Sequence, residues 1–155
     1  YRAIVRGQTV EENGPIQLLM APHPRITGKM TAKSNKGKHS KTDWSVLERF
    51  RGTALLRCHP FTGRQHQIRV HLAHIGLPLL VDPLYAESEA FFLSQLKTRY
   101  RASTRHEERP LISRLTLHAE SLAFVHPRDG HPVRIEAPLP KDFRSTLDQL
   151  RKISG

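Results

Sequence analysis

Residues 62–78 read T-G-R-Q-H-Q-I-R-V-H-L-A-H-I-G-L-P, and they predict a short helix with a defined start and stop. Thr62 and Gln65 have the spacing of a capping box, in which the side chain of each residue binds the backbone amide of the other. Gly76 and Pro78 supply the stop, because glycine tolerates a left-handed cap and proline cannot continue a helix. We therefore expect a helix that begins at Thr62 and ends at Gly76.

The charge balance of the whole chain favours a polyanionic partner. The 155 residues include 25 Lys and Arg against 14 Asp and Glu, which gives a formal net charge of +11. A membrane surface is the main alternative to nucleic acid. However, residues 75–81, the longest uncharged apolar run, are too few to span a bilayer and contain a glycine and a proline. We therefore expect one soluble, nucleic-acid-binding domain without membrane association.

The cysteine content limits the chemistry further. Cys58 is the only cysteine, so the chain can form neither an internal disulfide nor a zinc site with several cysteine ligands. This usage fits a reducing compartment, and we expect a cytoplasmic protein.

The predicted helix has two chemically different sides. Ile68, Leu72 and Ile75 form an apolar stripe at helical spacing. Polar side chains recur on the opposite flank at intervals of three and four residues: Arg64, Gln67, His71 and His74. This polar stripe on a basic protein predicts a helix that contacts RNA.

Other segments carry strand and turn patterns. Strands are predicted at residues 1–7, 44–50, 53–58, 115–125 and 132–137. Arg51 and Gly52 form a tight turn between the second and third of these, and residues 127–130 form the turn of a β-hairpin between the last two. Residues 20–42 are poor in large apolar side chains and rich in lysine, which predicts a basic loop.

Two further helices complete the predicted fold. Residues 87–100 have apolar side chains near helical spacing, followed by a basic tract predicted to be a mobile loop. After Pro140, the residues Phe143, Leu147 and Leu150 share one face of an amphipathic helix. The predicted class is therefore α+β, with a mixed, largely antiparallel sheet and flanking helices.

The spacing of the histidines does not match a metal-binding motif, and the sequence contains no recognisable hydrolase motif. His71 and His74 are three residues apart without a nearby carboxylate, and His59 and His66 do not complete a helical ligand motif such as H-E-x-x-H. Neither a G-x-S-x-G motif nor a cysteine-protease signature occurs. We expect no metal.

Arg69 lies at the border of the apolar stripe, beside Leu72 and Ala73, so its guanidinium should emerge at the edge of the core. A guanidinium in that position needs a carboxylate or phosphate partner. The alternative is that its aliphatic stem covers the core while its charged end reaches solvent.

The same residues resemble the central signature of the RluA-type RNA pseudouridine synthases. The matching positions are Gly63, Arg64, residues 66–71, Ile75, Gly76, Pro78, Leu79, Asp82 and Tyr85. Residues 1–7 are similar to the family's strand with a base-contacting tyrosine, residues 37–42 to its G-K-x-x-x-T turn, and residues 117–127 to its last motif. Gln65, Leu77 and Val81 depart from the family pattern.

The resemblance also indicates a missing residue. The family's nucleophilic aspartate lies in an H-R-L-D motif upstream of the tyrosine strand, whereas this chain opens at Tyr1. None of the five aspartates stands in that context, and Asp82 corresponds to a structural turn in the family. We therefore expect residues 1–155 to be the C-terminal portion of a catalytic domain, inactive alone, in which Arg69 has no aspartate to meet.

The family isomerises uridine in structured RNA, such as rRNA or tRNA, to pseudouridine without a cofactor or metal, acting on a flipped base. The resemblance implies that Tyr1 stacks on the base and assists proton removal from its carbon. It also implies that Arg69 pairs with the absent aspartate and that Leu117 forms part of the pocket wall. The predicted RNA-binding residues are Arg64, Gln67, His71, Lys38 and Leu117. We expect a monomer.

Two other functions remain as alternatives. A stand-alone RNA-binding module without catalysis would explain the same charge and the same helix. A DNA-binding helix-turn-helix would need a second helix before residues 62–78, but a predicted strand lies there.

Overall fold

An antiparallel sheet of six strands organises the chain. The computed structural model describes residues 1–32, 35–96 and 107–154. The strands are β1 Arg2–Arg6, β2 Asn13–Pro22, β3 Met30–Thr31, β4 Lys38–Phe50, β5 Thr53–Pro60 and β6 Leu117–His118, in the order β3-β2-β4-β5-β1-β6. A separate hairpin pairs β7 Ser121–Val125 with β8 Pro132–Glu136, and the helices are α1 Gln67–His74 and α2 Lys141–Ser154.

The two helices cover opposite sides of the sheet. On the α1 side, Ala3 and Val5 of β1 pack in one apolar cluster with Leu72 of the helix. On the α2 side, Ile4 packs in a second cluster with Phe143, and Leu147 and Leu150 of the helix join it. The alternation along β1 therefore buries both of its sides, as expected for a strand between two layers. The predicted α+β class with flanking helices is confirmed.

Several predicted elements are confirmed. Gly52 has a φ of 74° in the turn between β4 and β5, the β7–β8 hairpin forms, and α2 begins directly after Pro140. Helix α1 ends at His74, and the predicted stop residue Gly76 follows the C-cap Ile75 with a φ of 77°. The Gly76 and Leu77 amides donate to the carbonyls of Ala73 and Leu72, as in a Schellman motif.

Helix α1 begins at Gln67, so the predicted start at Thr62 is wrong. His66 precedes the helix with a φ of 55°, and no side chain caps the first turn. The Thr62 hydroxyl serves the sheet instead: its oxygen accepts the Lys41 amide at 3.0 Å, and it donates to Gln67 Oε1 at 2.7 Å. A tertiary partner thus displaces the local capping interaction that the spacing predicts.

The predicted basic loop at residues 20–42 is wrong at both ends, which belong to β2 and β4, and at residues 30–31, which form β3. Gly37 shows why a glycine precedes β4. A Cβ atom there would lie 2.7 Å from the backbone of Leu19 and Met20, so only glycine lets the chain approach β2 so closely.

The predicted helix at residues 87–100 does not form in its described part. The helical structure of residues 87–96 is limited to a 3-10 turn, Leu93–Gln95, and isolated bridges join Ser88 to Asp82 and Phe91 to Ile112. Residues 97–100 and most of the predicted basic tract lie outside the described residues. None of the described helices is long and apolar enough to cross a bilayer.

Candidate active site

A cleft of about 200 Å³ lies where the start of β1 meets α1 and β6. Five of the seven predicted site residues line it: Tyr1, Arg64, Gln67, Arg69 and Leu117. These residues come from three segments that are far apart in the sequence. Lys38 and His71 are not among its lining residues in the described structure.

Backbone pairing places Tyr1 and Leu117 at this cleft. The Tyr1 nitrogen donates to the Cys58 carbonyl at 2.8 Å, and the Cys58 amide donates to the Tyr1 carbonyl at 2.9 Å. Tyr1 therefore continues the ladder of β1, with its side chain on the same side as Ala3. Leu117 is the partner of Ala3 in β6, so Leu117 and Tyr1 are diagonal neighbours on the α1 side of the sheet. The Tyr1 residue is 40% exposed.

Arg69 makes a buried ion pair with Asp82. Its Nε donates to Oδ2 at 2.8 Å and its Nη2 donates to Oδ1 at 2.7 Å, a bidentate arrangement. Asp82 is fully buried. The expectation that Arg69 meets no aspartate in this chain is therefore wrong. Its predicted position at the core edge fits, because only about a tenth of its side chain is exposed.

Asp82 also stabilises the turn that follows it. Its Oδ1 accepts the amides of Leu84 at 2.9 Å and Tyr85 at 3.2 Å. Burial raises the pKa of Asp82, but hydrogen bonds from Arg69 and from these two amides outweigh burial, so the pKa lies below its ordinary value. Asp82 is thus an ionised anchor for Arg69 as well as a turn residue.

The Asp82 pair leaves part of the Arg69 guanidinium available. Among the described residues, Nη1 has no hydrogen-bond partner, whereas Nε and Nη2 are both engaged. Arg69 also lines the cleft, so Nη1 is the nitrogen that can serve a ligand or carboxylate entering there.

Tyr85 links the Arg69–Asp82 ion pair to β3 and to His66. The Arg69 guanidinium lies 4.9 Å from the centre of the Tyr85 ring. The Tyr85 hydroxyl accepts the Met30 amide at 2.8 Å and lies 3.0 Å from His66 Nδ1. Burial and the nearby Arg69 charge lower the pKa of His66, which favours a neutral imidazole. The sequence motif contained His66 and Tyr85, but its spacing did not reveal their contact.

Gln67 fastens α1 to the sheet. Its Nε2 donates to the Lys41 carbonyl at 2.9 Å and to the Thr42 hydroxyl at 3.0 Å. Its Oε1 accepts the Arg64 amide at 3.0 Å as well as the Thr62 hydroxyl. Only 4% of the residue is exposed, so Gln67 does not belong to an exposed polar stripe, and its predicted contact with RNA stays a prediction.

His71 is fully buried against β4, so it too cannot belong to an exposed polar stripe. Its Nε2 lies 2.8 Å from Ser40 Oγ, and Ser40 donates its only hydroxyl proton to the Leu18 carbonyl. His71 Nε2 must therefore be the donor, which leaves Nδ1 unprotonated. Nδ1 is buried and has no partner among the described residues. Burial, aided by the nearby His74, lowers the pKa of His71 to about 4.

This depressed pKa predicts a loss of stability in mild acid. Below its ordinary pKa of about 6.5, His71 binds a proton in the unfolded chain but not in the folded chain, until the pH approaches 4. The free energy of unfolding should therefore fall between pH 6.5 and 4. We expect His71→Gln, which keeps the donor to Ser40, to lose about 2 kcal/mol less than the unsubstituted chain between pH 7 and pH 4.5.

Urea unfolding at the two pH values measures this difference. His59→Gln is the matched control, because His59 is an exposed imidazole in β5 and does not contribute to the lowered pKa of His71. Equal losses for the unsubstituted chain and His71→Gln would contradict the assignment.

Arg64 lines the cleft, and its side chain contacts β4 at the residue that follows Lys38. Both Arg64 and Lys38 are exposed. Arg64 Nε donates at 3.1 Å to the carbonyl of His39, the residue that follows Lys38. The predicted contact of Arg64 and Lys38 with RNA phosphates stays a prediction.

Comparison with known proteins places the chain in a family. Residues 1–74 match the family model described as RNA pseudouridylate synthase. The chain is 38% identical over 156 residues to the ribosomal large subunit pseudouridine synthase D of Xanthomonas campestris, covering all of this chain and 44% of that protein. It is also 38% identical over 152 residues to the synthase C of Escherichia coli, covering 97% of this chain and 44% of that protein. The chain thus spans less than half of these curated relatives.

Solved structures support the same grouping. Human RNA pseudouridylate synthase domain containing 1 superposes with a TM-score of 0.66 at 27% identity, over 90% of this chain and 53% of that chain. Human RNA pseudouridylate synthase domain containing 4 gives 0.69 at 23% identity, over 97% and 60%, and shows the shared fold. Together with the motif residues gathered at the cleft, these matches show that the chain belongs to the RluA-type family of RNA pseudouridine synthases.

Proposed function

We propose that this chain forms part of the active site of an enzyme that isomerises uridine to pseudouridine in structured RNA. The observation that carries the proposal is the cleft, where Tyr1, Arg69 and Leu117 meet although they are far apart in the sequence. Ribosomal RNA of the large subunit is the favoured substrate, since the relatives are named ribosomal large subunit pseudouridine synthases.

The cleft suggests a role for each of the three side chains. A uracil flipped out of its helix would stack on the exposed Tyr1 ring and lie against Leu117. The reaction breaks the bond between ribose carbon 1 and uracil nitrogen 1 and forms a bond from the same ribose carbon to uracil carbon 5. The proton of carbon 5 must then leave while uracil nitrogen 1 takes up a proton, and we propose that the Tyr1 hydroxyl assists the removal from carbon 5.

Arg69 would orient the attacking carboxylate. Asp82 holds one edge of its guanidinium with two short hydrogen bonds, so the plane of the group is set before any substrate binds. Nη1 then remains for a second carboxylate in the cleft. This arrangement makes Asp82 a positioning residue, which acts through Arg69.

The attacking carboxylate is proposed to come from outside residues 1–155. Among the described residues that line the cleft there is neither an aspartate nor a glutamate. Asp82 is already engaged by Arg69 and by two amides. We therefore propose that the attacking carboxylate belongs to an aspartate in an H-R-L-D motif of the complete protein. Residues 1–155 alone should then be inactive.

The proposed partner is RNA, bound through its phosphates by a chain of net charge +11. We further propose that the protein works as a monomer in the cytoplasm, without a small-molecule cofactor. The single, buried Cys58 fits a reducing compartment.

Tritium release from RNA labelled at carbon 5 of uridine tests the function, because isomerisation frees that hydrogen. We expect the complete protein to release tritium and residues 1–155 alone to release none. Salt-sensitive RNA binding by the complete protein without tritium release from any cellular RNA would favour an RNA-binding module instead. The cleft's lack of its own carboxylate is the observation that keeps this second function open.

Arg64→Gln should weaken RNA binding without changing turnover at saturating RNA. The loss of one phosphate contact should lower the slope of log affinity against log salt by about 1. Filter binding at several salt concentrations measures this slope. Arg51→Gln is the matched control, because Arg51 is an exposed arginine in the β4–β5 turn, at the other end of these strands from the cleft. An equal change in both variants would show that the effect reflects net charge alone.

A further inference from the structure

The tip of the β7–β8 hairpin gathers three side chains that can bind a metal ion. His126, Asp129 and His131 each offer a ligand atom, and these atoms all lie within 4.8 Å of one another. Asp129 Oδ1 lies 3.0 Å from His126 Nδ1 and 2.5 Å from His131 Nδ1. The two imidazoles stack with their centres 4.8 Å apart and their planes 14° apart. Both rings therefore converge on one carboxylate oxygen.

The backbone of the turn holds these side chains in register. The His126 amide donates to the His131 carbonyl at 2.9 Å, directly beyond the last strand pair, Val125 with Pro132. The Gly130 amide donates to the His126 carbonyl at 3.0 Å, and Gly130 has a φ of 75°, which glycine adopts without strain. The two histidines thus sit as a cross-strand pair at the base of a short turn, with Asp129 inside that turn.

We propose that this turn binds one divalent transition-metal ion through His126, Asp129 and His131. Two imidazoles and one carboxylate suit Zn²⁺, and they also suit Ni²⁺ and Cu²⁺. Zinc bond lengths near 2.0 to 2.2 Å in a tetrahedron place neighbouring ligand atoms about 3.3 Å apart. The present separations are 2.5 and 3.0 Å from Asp129, and all three ligand atoms lie within 4.8 Å of one another, so binding an ion would require rotation of these exposed side chains.

The solvent exposure of the three side chains determines how tightly the ion would be bound. The three side chains are 38%, 55% and 56% exposed, so an ion can enter directly from solvent and keep water at its remaining positions. Such exposure makes the site weaker than a closed structural zinc site. The ion would join the two ends of a turn in a hairpin whose β7 residues are all exposed, so it should stabilise the hairpin. The site is separate from the cleft and does not depend on the proposed catalytic function.

Titration with ZnCl2 in a calorimeter, after removal of metal with a chelator, tests the proposal on residues 1–155. We expect one Zn²⁺ per chain, with an affinity at least about tenfold lower in Asp129→Asn and in His131→Gln. His74→Gln is the matched control, since His74 is an exposed histidine outside the cluster, and it should bind zinc as the unsubstituted chain does.

Thermal unfolding gives a second readout. Zinc should raise the Tm of the unsubstituted chain and of His74→Gln, and should have a smaller effect on Asp129→Asn. Without zinc all variants should unfold alike, because each substituted side chain is exposed. The proposal is overturned if the unsubstituted chain binds no zinc, or if it and the two cluster variants bind zinc equally.

Discussion

Arg69→Ala should lower the free energy of unfolding of residues 1–155 by about 3 to 5 kcal/mol. The substitution removes both short hydrogen bonds to Asp82 and leaves a fully buried carboxylate without its counter-ion. The two amides that remain, from Leu84 and Tyr85, do not neutralise its charge. Urea unfolding, monitored by the fluorescence of the buried Trp44, measures the loss.

Arg114→Ala provides the matched control. Arg114 and Asp142 form a bidentate pair with the same geometry, at 2.7 Å for both hydrogen bonds, but about two fifths of each side chain is exposed. An exposed pair contributes about 0 to 1 kcal/mol, so Arg114→Ala should cost far less. Equal losses for the two variants would contradict the view that burial makes the Arg69 pair important.

A double variant separates the charge from the packing. Arg69→Met with Asp82→Asn removes both charges and keeps side chains of similar size, so it should recover part of the stability that Arg69→Ala loses. Asparagine can still accept the Leu84 amide through its side-chain oxygen. Failure of the double variant to recover any stability would assign the loss to packing alone.

For the Arg69–Asp82 ion pair, the sequence predicted the position of Arg69 but not its partner. The helical wheel correctly placed Arg69 at the core edge, because that position follows from a spacing of a few residues. Its partner depended on how the segment after α1 folds back, and no local pattern encodes that path. The turn role inferred for Asp82 was correct. Its carboxylate also accepts a hydrogen bond from Arg69 of α1, in addition to the Leu84 amide in the turn.

Tertiary contacts that no local pattern encodes also explain the other differences between the predicted and the observed structure. Helix α2 and the β7–β8 hairpin were predictable, since apolar periodicity and turn residues define them locally. The start of α1 was not, because Lys41 and Gln67 compete for the Thr62 side chain. Gln67 and His71 are polar on the helical wheel, yet β4 supplies partners that let them be buried. Polarity alone therefore does not tell an exposed recognition face from a buried hydrogen-bonded one.

In the complete protein, Tyr1→Phe should lower kcat by at least about a hundredfold while leaving RNA affinity unchanged. Phenylalanine keeps the ring on which the flipped base would stack and removes only the hydroxyl proposed to assist proton removal. The backbone of residue 1 is held by both of its hydrogen bonds to Cys58 in either case, so the strand should persist. Tritium release and filter binding measure the two quantities separately.

Tyr1→Ala distinguishes stacking from proton removal. It removes both ring and hydroxyl, so it should lower kcat and also weaken binding of the flipped base, by about 1 to 3 kcal/mol for the lost stacking contact. Because Tyr1 is 40% exposed, neither variant should change the free energy of unfolding by more than about 1 kcal/mol, and unfolding in urea checks this. If Tyr1→Phe kept full turnover while Tyr1→Ala lost it, the hydroxyl would have no part in the reaction and Tyr1 would act through its ring alone.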